Sequence, residues 1–466
     1  MSNFPKDFIW GSATSSYQIE GAVNEGGRGR SIWDLFCEQP GRVLNGDTGA
    51  VACNHYSLFE QDVKLMAELG LKAYRFSIAW PRIQPSGLAE PNLAGITFYN
   101  KLIDCLLEYN IEPWITLYHW DLPENLYQNH NGWLNSNIVD YFGEYARICF
   151  ESFGDRVKHW ITLNEPWCSA VLGYGNGHHA PGHTDNIEPY IAAHNLLLSH
   201  AQAVDIYRKM DINNDGVIGI TNNCDFRYPL TDSKEDQAAA QRSLEFFLGW
   251  FADPIWKGDY PEVMKNMVGD KLPIFTEEQR KLLYQSSDFF GLNHYSSMYA
   301  SEPSKDNIED ISIAGNGGMI EDQNVHLSVD SSWKQTQMDW SIVPDGCKEL
   351  LKWIDLRYNQ PIIYITENGC AQDEPNEEKG INDDGRVEFF KGYVNACHEA
   401  IESGVNLRGY FAWSLMDNFE WAWGYERRFG LCRVDFNTLK RTPKKSALWY
   451  KDCLLYTSPS PRDATL

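Results

Sequence analysis

Two glutamates stand in segments suited to presenting a carboxyl. Glu165 follows Ile-Thr-Leu-Asn and precedes Pro-Trp, and Glu367 follows Ile-Tyr-Ile-Thr and precedes Asn-Gly. Each sits at the end of a short, β-branched run of the kind that forms a buried strand. Two carboxyls facing one bond suit cleavage of a glycosidic link. One must be protonated to assist the leaving oxygen, and the other ionised to attack or to activate water. Either glutamate alone could pair with a structural cation. Other polar and aromatic residues gather at the ends of comparable runs. Arg75 lies in one, and Tyr118, His119 and Trp120 follow a second. Asn293 ends another, with Tyr295 just beyond, and Trp413 ends the last.

The runs that would position these groups number eight: residues 8–12, 73–80, 112–117, 159–164, 217–222, 289–293, 362–367 and 407–413. Helical spacing of apolar residues recurs between most of them, at 56–69, 98–109, 139–153, 192–210, 278–284 and 346–358. Strand alternating with helix predicts a parallel sheet. Eight such units predict a single (β/α)8 TIM barrel with long βα loops at the C-terminal face, where such barrels carry their chemistry. The polar, acidic connections 301–332 and 371–385 are expected on that side or its rim.

Composition narrows the classes. Lys and Arg total 40 against 64 Asp and Glu, a net charge of -24, which argues against nucleic acid and an anionic membrane surface. No run approaches the roughly 18 apolar residues of a membrane helix, and the start of the chain lacks a signal-peptide pattern. The 11 scattered cysteines, without a CxxC pair, read as reduced thiols, and the chain has no Asn-x-Ser/Thr sequon, so the expected location is cytoplasmic. The 17 Trp and 24 Tyr suggest a site that stacks flat ligands such as sugars, beside an ordinary aromatic core. Asp211–Gly216 imitates the start of a calcium loop, but Asn222 stands where the bidentate glutamate belongs, so a polar turn is expected and no metal or cofactor. Residues 453–466 read like translated library adapter and are taken as a non-native tail, leaving 1–452 as the catalytic barrel.

From Phe4 to about Asp452 the chain resembles family 1 of the glycoside hydrolases, the β-glucosidase family, on the Asn-Glu-Pro-Trp and Thr-Glu-Asn-Gly segments together. The resemblance implies that Glu165 is the acid/base and Glu367 the nucleophile of a retaining double displacement, with the carboxyls about 5–5.5 Å apart. It implies that Arg75 and Tyr295 support Glu367, though Arg75 could also be a plain ion pair inside the barrel. The two pKa values must separate, with Glu165 moved up and Glu367 down.

The resemblance further implies a sugar-binding set. Gln18, His119, Asn164, Asn293 and Glu420 would hold hydroxyls, Trp413 would floor the ring, and Trp421 and Trp120 would line the pocket. Trp340 would stand at the entrance, where Cys168, Leu172 and His179 could add to the wall. Asp339 replaces the family's usual Gly, and Ser341 a frequent Glu, which leaves the leaving-group preference open. Glu420 argues for a free sugar over a 6-phosphate, and the presence of Glu165 argues for O-glycosides over thioglucosides. The expected activity is release of glucose from short β-glucosides such as cellobiose, with side activity on β-galactosides and β-fucosides. A transglycosidase would use the same residues. A non-catalytic sugar binder on the same barrel is a rival that usually lacks one catalytic glutamate. The expected partner is a small β-glucoside or oligosaccharide; the oligomeric state is not readable.

Overall fold

The eight expected runs are eight parallel strands: β1 Ile9–Ala13, β2 Ala73–Ser77, β3 Glu112–Tyr118, β4 His159–Asn164, β5 Val217–Asn223, β6 Phe290–Asn293, β7 Ile363–Asn368 and β8 Leu407–Trp413. They close into one barrel, each pairing with its neighbours in sequence, and β8 returning to pair with β1. The computed structural model describes residues 4–88, 90–210, 212, 215–304 and 318–457. Half of the calcium-like turn falls outside the described residues, as does the middle of the 301–332 connection.

Alternation along the strands divides the apolar residues in two. Ala73, Trp114, Ile161, Phe289, Tyr364, Phe411 and Trp413 pack together inside the barrel. Their neighbours Tyr74, Ile115, Trp160, Phe290, Ile363 and Tyr410 face outward and belong to the core beneath the helices. Trp114 plugs the interior, stacked on His159 at 3.9 Å and set against Phe411 at 4.9 Å. Above this plug the interior turns polar, with Arg75, Thr116, Asn164, Thr221, Asn293, Thr366 and Glu367 all buried.

The expected helices are present with small shifts, from His55–Glu68 and Leu93–Glu108 to Pro344–Arg357. The expected run 73–80 stops as a strand at Ser77, and Trp80 opens the short helix Trp80–Ile83, because Pro81 cannot donate to a ladder but suits a first helical turn. The helix Asp384–Glu402 was not expected. Its buried face of Val387, Phe390, Tyr393, Cys397 and Ala400 begins only after a charged first turn. A small sheet of Phe226–Pro229, Ser297–Ser301 and His326–Ser328 covers the outlets of β5 and β6 and was likewise not expected. The last helix, Lys445–Thr457, runs past the boundary at 452, and Cys453 and Leu454 at the start of the expected tail are buried. Trp33, Trp80, Trp133, Trp160 and Trp250 are fully buried away from the barrel interior, so much of the tryptophan surplus is core.

The connection after β8 is anchored by buried charge. Lys444 is wholly buried and binds Asp417 at 2.7 Å and also Glu374. Arg386 joins the same cluster through Glu374 and Asp383, and Arg428 through Asp417. Glu374 belongs to the connection 371–385. Among the described residues that connection supports the loop carrying Glu420 and does not line the central cavity. Removing one member of such a cluster leaves a buried charge uncompensated. Lys444→Met should therefore cost about 3–5 kcal/mol of stability, read as a lower denaturant midpoint; a loss within error would show that Asp417 and Glu374 do not depend on it.

Candidate active site

At the C-terminal end of the barrel the strand ends open into a cavity of about 520 Å³. The expected catalytic and sugar-contacting residues that line it are His119, Trp120, Glu165, Asn293, Tyr295, Trp340, Glu367, Trp413, Glu420 and Trp421. Gln18, Arg75 and Asn164 lie just behind the wall, each at most 1% exposed. They act on it through hydrogen bonds.

Every residue of Thr-Glu-Asn-Gly has a physical task. The Thr366 hydroxyl donates to Asn293 Oδ1 at 2.7 Å. Asn368 donates to the His294 carbonyl at 2.6 Å and accepts from the Tyr410 hydroxyl at 2.5 Å, which fixes the end of β7. At Gly369 a Cβ would lie 1.7 Å from the Trp413 carbonyl oxygen, so only glycine lets the end of β7 pass so close to the end of β8. Between them, Glu367 accepts from Arg75 Nη1 on one oxygen and from the Tyr295 hydroxyl at 2.7 Å on the other.

The Asn-Glu-Pro-Trp segment is organised differently. Asn164 Oδ1 accepts from Arg75 Nη2 at 2.6 Å and from Asn293 at 3.0 Å. Its amide therefore faces His119 Nε2, at 3.0 Å, and that nitrogen must accept. His119 is neutral, because burial and the nearby Arg75 hold it well below the usual histidine range. Its proton sits on Nδ1, which is buried and, among the described residues, has no hydrogen-bond partner. Glu165 itself adopts a left-handed backbone with φ of 45°. Trp120 and Trp421 do so as well, at 78° and 50°. Non-glycine residues seldom occupy this region, and strain of this kind concentrates at functional sites.

Among the described residues Glu165 forms no ion pair. Its carboxylate accepts from Asn293 at 2.6 Å and from the Cys168 thiol at 3.1 Å. Burial and then the charge of Glu367 push it up to about 8. Burial also pushes Glu367 up, against the pull of Arg75 and Tyr295. The expected lowering of Glu367 below the ordinary glutamate range is therefore not found. What separates the pair is the guanidinium, which makes Glu367 the more acidic of the two. Tyr295, half-buried and facing both carboxyls, is raised well above its usual value by desolvation and then by Glu367 and Glu165, and stays a donor.

The opposite wall carries Glu420, whose Oε2 accepts from Gln18 at 3.3 Å. Gln18 is oriented in turn by Ser15, Asn418 and the Phe419 carbonyl. Burial, then Glu367 and Glu165, raise Glu420 to about 8. Trp413 and Trp421 flank His119 at 5.9 Å each, giving flat apolar faces beside polar ones. Trp340 packs on Tyr295 at 5.2 Å. Asp339 has φ of 58°, the conformation that suits the family's usual glycine. Ser341 is buried, and Trp333 stacks on Tyr299 at 4.9 Å outside the cavity. Leu172 and His179 line the cavity as expected, whereas Cys168 reaches the Glu165 carboxylate itself.

Sequence reasoning missed one side of the cavity: Trp167, Cys224, Asp225, Arg227, Phe247, Met298, Met319 and Leu327. Cys224, Asp225 and Arg227 directly follow β5, so the strand-end rule that found the others could have found them. Phe247 and Met319 come from helical segments far along the chain and carry no such signal.

A model of the family described as glycosyl hydrolase family 1 matches residues 1–457. The chain is 48% identical to beta-glucosidase 42 of Arabidopsis thaliana over 96% of this chain and 93% of that protein. It is 45% identical to beta-glucosidase A of Acetivibrio thermocellus, over 97% and 98% of the two. The structure is similar to that of the rice Os3BGlu6 beta-glucosidase, with a TM-score of 0.93, 42% identity, and coverage of 97% and 99%.

Two tests address the carboxyls. A folded-state value raised from 4.5 to about 8 means that folding holds a proton the unfolded chain has lost. The stabilisation is complete below the unfolded value and disappears as pH rises through the folded one. Wild-type Tm should thus fall from about pH 5 to about pH 8.5 more steeply than that of Glu420→Gln; parallel curves would refute the buried proton. Replacing Cys168 by Val removes a donor that lowers Glu165, so the basic limb of kcat/KM should move to higher pH, with Cys168→Ser closer to wild type.

Proposed function

The chain belongs to glycosyl hydrolase family 1 and is a β-glucosidase, and from that premise we propose that it hydrolyses terminal non-reducing β-D-glucosyl residues of short β-glucosides such as cellobiose, with retention. The observation that carries the proposal is the asymmetry of the two carboxyls. Glu367 is held by a guanidinium and a phenol, so it ionises first and serves as nucleophile. Among the described residues Glu165 accepts hydrogen bonds from neutral donors alone, and burial and the field of Glu367 outweigh that of Arg75, so it keeps its proton and serves as acid.

In the first step a Glu367 oxygen attacks the anomeric carbon. The bond to the leaving oxygen breaks as Glu165 gives that oxygen its proton. A glycosyl ester on Glu367 results. Neutralising Glu367 removes the charge that had raised Glu165, so Glu165 stays ionised after giving up its proton and is available as the base that takes one from water. The water oxygen bonds to the anomeric carbon and Glu367 leaves as carboxylate. Arg75 faces Glu367 throughout and stabilises the charge that returns to it.

The sugar would be held by the wall opposite. His119 Nδ1–H supports this reading, because a sugar hydroxyl would supply the acceptor that this buried donor lacks. Glu420, oriented by Gln18 behind it, presents an acceptor to further hydroxyls, and Trp413 an apolar face to the ring. Side activity on β-galactosides and β-fucosides, and transfer to sugar acceptors, belong to the same proposal.

The direct test is Glu367→Ala. It should lose hydrolysis and, with azide as external nucleophile, form the α-glucosyl azide. Glu165→Ala should lose roughly 10²–10⁴-fold in kcat/KM on alkyl glucosides and much less on aryl glucosides with good leaving groups. Hydrolysis by Glu367→Ala without azide would sink the assignment.

A further inference from the structure

On the Glu165 side the cavity continues into a lobe that the mechanism above does not use. Its walls include Phe247, Met298, Met319, Ile320 and Leu327, an apolar lining unlike the polar end around Glu420. Into this lining the short strand Phe226–Pro229 brings Arg227, which is 4% exposed. A buried guanidinium among methionines is unusual unless it is fully paired.

Arg227 is not fully paired. Asp225 approaches no closer than 3.9 Å, beyond hydrogen-bond reach, and its other oxygen accepts from the Ser296 amide. Nη1 donates at 3.5 Å to the carbonyl of the adjacent Phe226, a long contact. Among the described residues Nε has no hydrogen-bond partner. The guanidinium also lies 5.4 Å from the Phe247 ring centre, a cation–π contact that leaves its donors free. A second buried polar group, Gln323, is 2% exposed, lines the same lobe, and has a side-chain oxygen without a partner among the described residues.

The position of Arg227 relative to the chemistry is set by contacts. Phe247 stacks on Trp167 at 4.2 Å, and Trp167 is two residues from Glu165. Asn223, at the end of β5, donates to the Cys168 sulfur at 3.6 Å, and that thiol donates to Glu165. Arg227 thus lies on the side of the acid/base. A group protonated by Glu165 as it departs must leave on that side.

We infer that Arg227 is a specificity determinant for the leaving group, and that the preferred β-glucosides carry, on an apolar aglycone, an acceptor oxygen of a carbonyl or carboxylate that this guanidinium binds. The inference rests on the β-glucosidase reading and deepens it. The cavity volume of about 520 Å³ is that of sites which bury a whole drug-sized ligand, so a ring system can enter beside the sugar. Phe247 and the methionines would cover its faces, and Gln323 Oε1 would accept from a hydroxyl on it.

The test compares wild type with Arg227→Met on 2-naphthyl, 6-acetyl-2-naphthyl and 6-carboxy-2-naphthyl β-D-glucosides. The ratio of kcat/KM between the two enzymes cancels each leaving group's intrinsic reactivity. We expect the Met variant to lose about tenfold or more on the acetyl or carboxy substrate and less than about twofold on the plain naphthyl one. The larger loss names carbonyl or carboxylate. Equal ratios on all three would overturn the inference while leaving the β-glucosidase reading intact. Failure of wild type on all three, and on 4-nitrophenyl β-D-glucoside, would overturn that reading itself. If Arg227→Met does not fold, Arg227→Lys serves, since Lys keeps the charge but not the planar fork; a selective loss on the acceptor-bearing substrates supports the inference, and equal ratios refute it.

Discussion

One buried guanidinium faces more carboxyl than it can neutralise, and the active end of the barrel is organised around that imbalance. Arg75 is wholly buried. Glu165, Glu367 and Glu420 line the cavity in front of it, and full ionisation of all three would leave two negative charges that this guanidinium cannot offset. In a medium of low polarisability that state is costly. The arrangement resolves the cost unequally. Arg75 and Tyr295 go to Glu367, amide and thiol to Glu165, and an amide alone to Glu420. Acid, nucleophile and sugar acceptor therefore differ by their neighbours and not by their residue type.

Holding these groups apart places demands on the backbone. Glu165, Trp120 and Trp421 are all in the left-handed region, and Gly369 is where the ends of β7 and β8 pass too closely for any side chain. The surrounding structure opposes the strain. Below the strand ends, Trp114 and its aromatic neighbours fill the barrel. Beneath the Glu420 loop, Lys444, Asp417, Glu374 and Arg386 form a buried ionic cluster. Both are rigid supports for a site whose own interactions do not favour its geometry.

The two sides of the cavity differ in how they handle polar groups. The sugar side is densely connected: Asn164 and Asn293 tie Arg75, His119, Glu165 and Thr366 into one network. The side toward Phe247 and Met298 is apolar, with Arg227 and Gln323 only partly satisfied. Invariant chemistry suits the first, where the network fixes the orientation of each amide and carboxyl. Selectivity among ligands suits the second, where an unsatisfied buried donor discriminates strongly against molecules without an acceptor.

The strands and most helices of the barrel were legible in the sequence, because period-two and period-3.6 patterns are local consequences of which side each residue buries. Glu165 and Glu367 were legible for the same reason: each ends a run that could only be a buried strand. The helix Asp384–Glu402 hid behind its charged first turn, and the small sheet over β5 and β6 behind strands as short as three residues. What the sequence alone determined was identity and order: two carboxyls at strand ends, with the arginine, tyrosine and histidine that could serve them. What only the tertiary structure decided was allocation. Gln18 meets Glu420 across 402 positions, Arg75 meets Glu367 across 292, and Phe247 reaches Arg227 from a separate helical segment. Ionisation, tautomer and unsatisfied donors follow from burial and from charges a few ångströms away, and distance along a chain carries neither.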